Sequence, residues 1–185
     1  MKKICLAVFA TLVTISGVFA QKTLHTDFPD MPIDENTHLV TYREVVTQAG
    51  EPTVLYERAL KWANKYYANP TVVITGQDKK NKVVTCVSNI KISTLAKDGK
   101  TWQNAGYVYY TLTIEAKDGR YRYTITDIYK KEQARFPIEK WLDTSRPEWT
   151  PVRYDHLYQI DEAIHKLIES IEEGMEPEKV INDEW

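Results

Sequence analysis

Apolar residues recur along this chain at two spacings, and the switches between them mark out its elements. Residues 38–46, HLVTYREVV, alternate and are rich in Val, Thr and Tyr, the pattern of a half-buried strand. Gly50 and Pro52 break it. From Pro52 to Tyr67 the period lengthens: Leu55, Ala59, Trp62 and Tyr66 lie four, three and four residues apart, with Glu57, Arg58, Lys61 and Lys65 on other faces. That spacing predicts an amphipathic helix, ended before Asn69-Pro70 because a residue preceding proline is pushed out of the helical region. Residues 71–76, TVVITG, and 82–94, KVVTCVSNIKIST, return to strand composition and predict a hairpin turning through 77–81.

The clearest local signal lies further on. In residues 107–116, YVYYTLTIEA, the side chains of Val108, Tyr110, Leu112, Ile114 and Ala116 share one face while Tyr107 and Tyr109 take the other. In residues 120–129, RYRYTITDIY, Tyr121, Tyr123 and Ile125 fall on one face and Arg122, Thr124 and Thr126 on the opposite one. Asp118-Gly119 between the two runs suits a two-residue type I′ turn, whose central residues both need positive φ. Setting Lys117 opposite Arg120 puts Ile114 across from Tyr123, Leu112 from Ile125, Glu115 from Arg122 and Thr113 from Thr124. Both faces are then chemically matched, which supports the register independently of the turn.

Residues 130–152 form a long connection with Phe136, Trp141, Trp149 and three prolines, and Pro137 is placed to open a short helix through Leu142. Leu157, Ile160, Ile164, Leu167, Ile171 and Met175 then recur at three- and four-residue steps, the best helix in the chain, with Gly174 as a terminator. The order is β-α-β-β-β-β-α. A single antiparallel sheet with two helices on its apolar face buries every stripe, so the predicted class is α+β.

The start of the chain changes the setting. MKKICLAVFATLVTISGVFA places two lysines before an uncharged apolar run and ends in Val18-Phe19-Ala20, the pattern of a secretory signal peptide occupying residues 1–20. Residues 21–32, with two prolines and no period, read as an extended leader; residues 33–175 form one domain and 176–185 a tail. The expected protein is exported, periplasmic or secreted, with no membrane span once the signal is removed. Without Lys2 and Lys3 the 24 basic and 26 acidic groups become 22 and 26, a net charge of −4, which argues against nucleic acid. Cleavage also removes Cys5, leaving Cys86 as a lone thiol packed in a strand and stability dependent on the core.

Candidate chemistry is thin. No His pair has the i, i+4 spacing of a helical metal site, so no metal ligand is assigned, and His156 and His165 read as solvated helix residues. There is no nucleophile elbow, no phosphate loop and no cofactor motif. Asp127 is the one acid in phase with the apolar face. The register sets it opposite Tyr110, and it reads as a structural acid hydrogen-bonded to that tyrosine, at a strand end or bulge. The remaining feature is aromatic: Tyr107 and Tyr109 on the outward face of their strand, with Trp141 and Trp149 in the connection, are the candidate binding residues.

The order of elements, with MPIDENTHLVTYREVV, LYERALKWANKYY and above all YTLTIEAKDGRYRYTITDI, resembles domain of unknown function 4468, small exported bacterial proteins with a TATA-binding-protein-like fold. The resemblance implies that fold, TBP-like with a curved antiparallel sheet, and an exported setting; it supplies no catalytic residues. The expectation is a non-enzymatic binding or structural module whose partner is an envelope protein or small ligand, held by the sheet and the 130–152 connection. Two rivals stand beside it: a hydrolase using Asp127, and a carrier of an apolar ligand between the sheet and the last helix.

Overall fold

The computed structural model describes residues 23–177; the predicted signal segment and the tail from residue 178 lie outside them. β1 (Tyr42–Thr47) leads into α1 (Pro52–Tyr66) and a one-turn helix, α2 (Pro70–Val73). The strands β2 (Ile74–Asp78), β3 (Val83–Leu95), β4 (Trp102–Lys117), β5 (Arg120–Lys131) and β6 (Arg135–Pro137) follow. A 3-10 turn at Ile138–Trp141 and the long helix α3 (Val152–Met175) complete the order. The strands form one curved antiparallel sheet ordered β1-β5-β4-β3-β2, with β6 added to β5. Among the described residues no helix is long and apolar enough to cross a membrane.

The Asp-Gly hairpin has the register the side chains demand, pairing Lys117 with Arg120, Glu115 with Arg122, Ile114 with Tyr123 and Leu112 with Ile125. Beyond Thr111 and Thr126 it slips by one residue, and the next pair is Tyr109 with Tyr129. Asp127 and Ile128 therefore both oppose Tyr110, a β-bulge, and Asp127 sits at φ 55°. The bulge corrects the expected Asp127–Tyr110 contact. Asp127 is turned away and pairs with Arg135, Ile128 takes the inward position at 1% exposure, and the Tyr110 hydroxyl meets that of Tyr67 at 3.3 Å inside the core. Burial pushes the Tyr110 phenol up to about 12.

Other elements also depart from the alternation pattern. Thr71–Val73 turns as α2 rather than extending as strand, because Pro70 at the first helical position has its φ already set for a helix. β1 begins at Tyr42, while Val40 makes an isolated bridge to Ile33. β6 has no counterpart in the alternation pattern; it lets the connection pair with β5 before Pro137 introduces the 3-10 turn.

The core lies between the inward face of the sheet and the two long helices. From α1 come Leu55, Tyr56, Ala59, Trp62 and Ala63; from α3, Leu157, Ile160, Ile164, Leu167, Ile171 and Met175; from the sheet, Val84, Cys86, Val108, Leu112, Ile114 and Ile125. Each fully buried aliphatic side chain contributes about 2 kcal/mol. The sheet-facing stripe of α3 is buried along its length. Gly174 does not terminate α3, which runs one residue further; a methyl group at this position would overlap Cγ and Cδ1 of Trp62. The contact is locked by a 3.0 Å hydrogen bond from Trp62 Nε1 to Ser170 Oγ.

Candidate functional site

Because the helices occupy one face of the sheet, the alternation along β3, β4 and β5 sends the other half of the side chains to an outer face that no helix among the described residues covers. Its centre is threonine-rich: Thr113 pairs with Thr85 on one side and Thr124 on the other, and Thr111 with Thr126. Thr126 Oγ1 and Thr41 Oγ1 lie 2.9 Å apart, extending the hydroxyl row towards the sheet edge. At the hairpin end, Arg122 grips Glu115 through Nη2 at 2.6 Å and Nε at 2.8 Å. A shallow groove there is lined by Val45, Lys117 and Arg120 as well as this ion pair.

The opposite end of the face is aromatic. Tyr107 is 46% exposed. Tyr109 stacks on its cross-strand neighbour Tyr129, with centroids 5.6 Å apart and an interplanar angle of 19°. The guanidinium of Arg135 covers Tyr129 at 3.9 Å from the ring centroid while pairing with Asp127. Tyr109, Tyr129 and Arg135 thus form a three-layer stack, a cation–π contact on an aromatic pair. Continuing the alternation from Tyr121 would have turned Tyr129 inward. The bulge at Asp127 turns it outward, so the signal for this third tyrosine was the acid that broke the apolar phase.

The structure does not bring the four candidate aromatics together. Tyr107 and Tyr109 share the outer face. Trp141 is in the core at 2% exposure, beside His156 and under Arg153, whose guanidinium carbon lies 4.3 Å from the ring. Trp149 donates from Nε1 to the Trp141 carbonyl at 2.8 Å and meets Phe28 and Tyr154 edge-on. The connection from 130 to 152 therefore splits its work. Arg135 joins the outer face, and the tryptophans anchor the chain at the start of α3.

That end of α3 holds two polar groups the sequence did not mark as buried. His156 is 4% exposed rather than solvated, and its Nε2 lies 2.8 Å from Thr94 Oγ1. Burial, reinforced by Arg153 and Lys130, pulls the imidazole down to about 4. Asp155, also 4% exposed, accepts the backbone N–H groups of Leu24 and His25 at 2.9 Å each and lies 2.9 Å from His25 Nδ1. His25 in turn stacks on Tyr158 with centroids 3.7 Å apart. The leader is tied down along α3. No cluster of His, Cys, Asp and Glu among the described residues has the geometry of a metal site. Cys86 is fully buried and its thiol is pushed up to about 12 by burial.

A family model described as domain of unknown function (DUF4468) with TBP-like fold matches residues 42–131. Among solved structures, a DUF4468 family protein from Bacteroides ovatus ATCC 8483 superimposes with a TM-score of 0.55 at 14% identity, over 75% of this chain and 90% of that one. A TBP-like protein from Parabacteroides distasonis ATCC 8503 gives 0.53 at 13% identity, over 77% of this chain and 97% of that one. No functionally curated protein matches the chain. At these identities the solved structures speak for the fold.

Proposed function

From the match of residues 42–131 to the DUF4468 family model of TBP-like fold, we propose that the protein is an exported binding module, not an enzyme, that takes a protein or small ligand on the outer face of its sheet. The observation that carries the reading is the aromatic end of that face: an exposed Tyr107 beside the Tyr109–Tyr129–Arg135 stack, on a surface that no helix among the described residues covers. Preformed aromatic rings offer a partner contact area at little cost in side-chain entropy, since each has only two rotatable side-chain bonds. Asp127 fits a supporting role rather than an acid–base one, being half exposed and committed to Arg135. The exported setting is supported by the signal-peptide pattern of residues 1–20.

The test is to recover the protein from its native envelope with whatever is bound and to compare it with a Tyr107→Ser/Tyr109→Ser double variant. Material identified by mass spectrometry should be lost from the variant while its thermal unfolding is unchanged. Binding should slow hydrogen exchange along β4 and β5. Equal recovery from both proteins, or protection confined to α1 and α3, would overturn the assignment. N-terminal sequencing of the recovered protein should begin at or near Gln21; retention of residues 1–20 would remove the exported setting.

A further inference from the structure

The leader does more than lie along α3; it forms one wall of a cleft. Leu24 and His25 stand on one side, the first turns of α3 on a second, and Trp102 at the start of β4 on the third, bordering an open space of about 630 Å³. A space of this size is in the range of small-molecule sites, which are mostly apolar with a few placed polar groups. Of the large hydrophobic side chains exposed among the described residues, Leu24 at 56% and Trp102 at 49% both line this cleft.

The polar groups around it divide into those already committed and those open to a guest. Gln159 spends both ends of its amide on Ser93, accepting from the Ser93 N–H at 2.8 Å and donating to its carbonyl at 2.8 Å. The Asp155 carboxylate is occupied by Leu24 and His25. One face of Tyr158 is covered by the His25 ring. Asp161 accepts from the Tyr42 hydroxyl at 2.6 Å. What is left is the Trp102 indole, the Leu24 side chain and Glu162, whose partner Lys166 holds it in an exposed i, i+4 pair at 2.7 Å. Such surface pairs are worth at most about 1 kcal/mol and exchange readily.

Carboxylates predominate in the wall. Asp155, Asp161 and Glu162 line the cleft, with His25, held against Asp155 at 2.9 Å, as the basic group among the lining residues. An anion would meet the repulsion of these carboxylates. A cation would be favoured by the carboxylates and by the face of the indole, the best of the aromatic rings at holding positive charge. We propose that the cleft is a binding site for an organic cation with an apolar or aromatic body, the charged end between Trp102 and Glu162 and the body against Leu24. The site is separate from the outer face of the sheet and does not depend on the function assigned there.

Benzyltrimethylammonium is a suitable probe, titrated calorimetrically into the protein with benzenesulfonate as a ligand of similar size and opposite charge. The cation should bind saturably and the sulfonate should not. Trp102→Ala should weaken the cation by about two- to fivefold, the effect of losing one exposed cation–π contact, and Glu162→Gln should weaken it in the same direction. Both side chains are exposed, so matching thermal unfolding curves should show that the variants keep the fold. Tyr107→Ser, on the outer face, should leave the affinity unchanged. Equal affinity for both probes, an unchanged affinity in Trp102→Ala, or no saturable binding of the cation at concentrations of about 10 mM would each overturn the assignment.

Discussion

Asp127 holds a left-handed backbone conformation, φ 55°, that most side chains resist. Asn tolerates that region nearly as well and Gly has no penalty there, whereas a β-branched residue is strained. Asp127→Asn and Asp127→Gly should therefore unfold within about 1 kcal/mol of the parent, and Asp127→Val should lose about 1 to 2 kcal/mol, as read by denaturant titration. Equal losses in all three would show that the Arg135 ion pair, not the backbone, is what the aspartate supplies. His156 makes a second claim at this scale. Its native imidazole is held down to about 4, so between the ordinary histidine value of 6.5 and 4 the unfolded chain takes up a proton that the folded one refuses. The contribution is present in full above pH 6.5 and is lost as the pH falls through that window. It amounts to about 3 kcal/mol at most. His156→Gln should flatten the stability profile from pH 7 to 4, and an unchanged slope would refute the assignment. Neither behaviour was readable from the chain alone, because a histidine on an amphipathic helix carries no mark of which neighbour will bury it.

At the scale of elements, the helices meet where Gly174 faces Trp62. In an exposed helix interior, Gly→Ala would gain about 1 kcal/mol from helix propensity. Here the added methyl must displace an indole that is itself tethered to Ser170, so Gly174→Ala should lower stability by about 1 to 2 kcal/mol net, measurable as a fall in Tm. A rise would mean that the indole moves aside freely. The glycine illustrates what periodicity can and cannot convey. Spacing located both long helices and the Asp-Gly hairpin, because each stripe and each cross-strand pair repeats several times in sequence. A single close approach between residues 62 and 174 leaves no periodic trace, and a glycine near the end of a helical stripe has the sequence signature of a terminator. α2 and β6 escaped for a related reason: at 4 and 3 residues, neither is long enough to show its own period twice.

For the molecule as a whole, the unexpected tie is Asp155, which fastens a segment about 130 residues away in sequence. Charge-assisted hydrogen bonds of this kind contribute about 1.5 to 3 kcal/mol each, and their loss should release the leader. Asp155→Ala should abolish hydrogen-exchange protection at the Leu24 and His25 amides, open residues 23–31 to protease, and lower stability by about 2 to 4 kcal/mol. Protection that survives would assign the anchoring to the stacking of His25 on Tyr158 instead. The outer face of the sheet was legible in outline, since alternation alone sent Tyr107 and Tyr109 outward; the cleft was not, because its walls come from the leader, β4 and α3. The bulge in β5 has a consequence of another kind. Removing Asp127 would leave Ile128 inward and Tyr129 outward, since the residues on either side of it already keep one alternating phase. The extra residue thus bends the strand without reassigning any face, and a straighter relative would differ here by a one-position gap in alignment, a record of sheet shape rather than of chemistry.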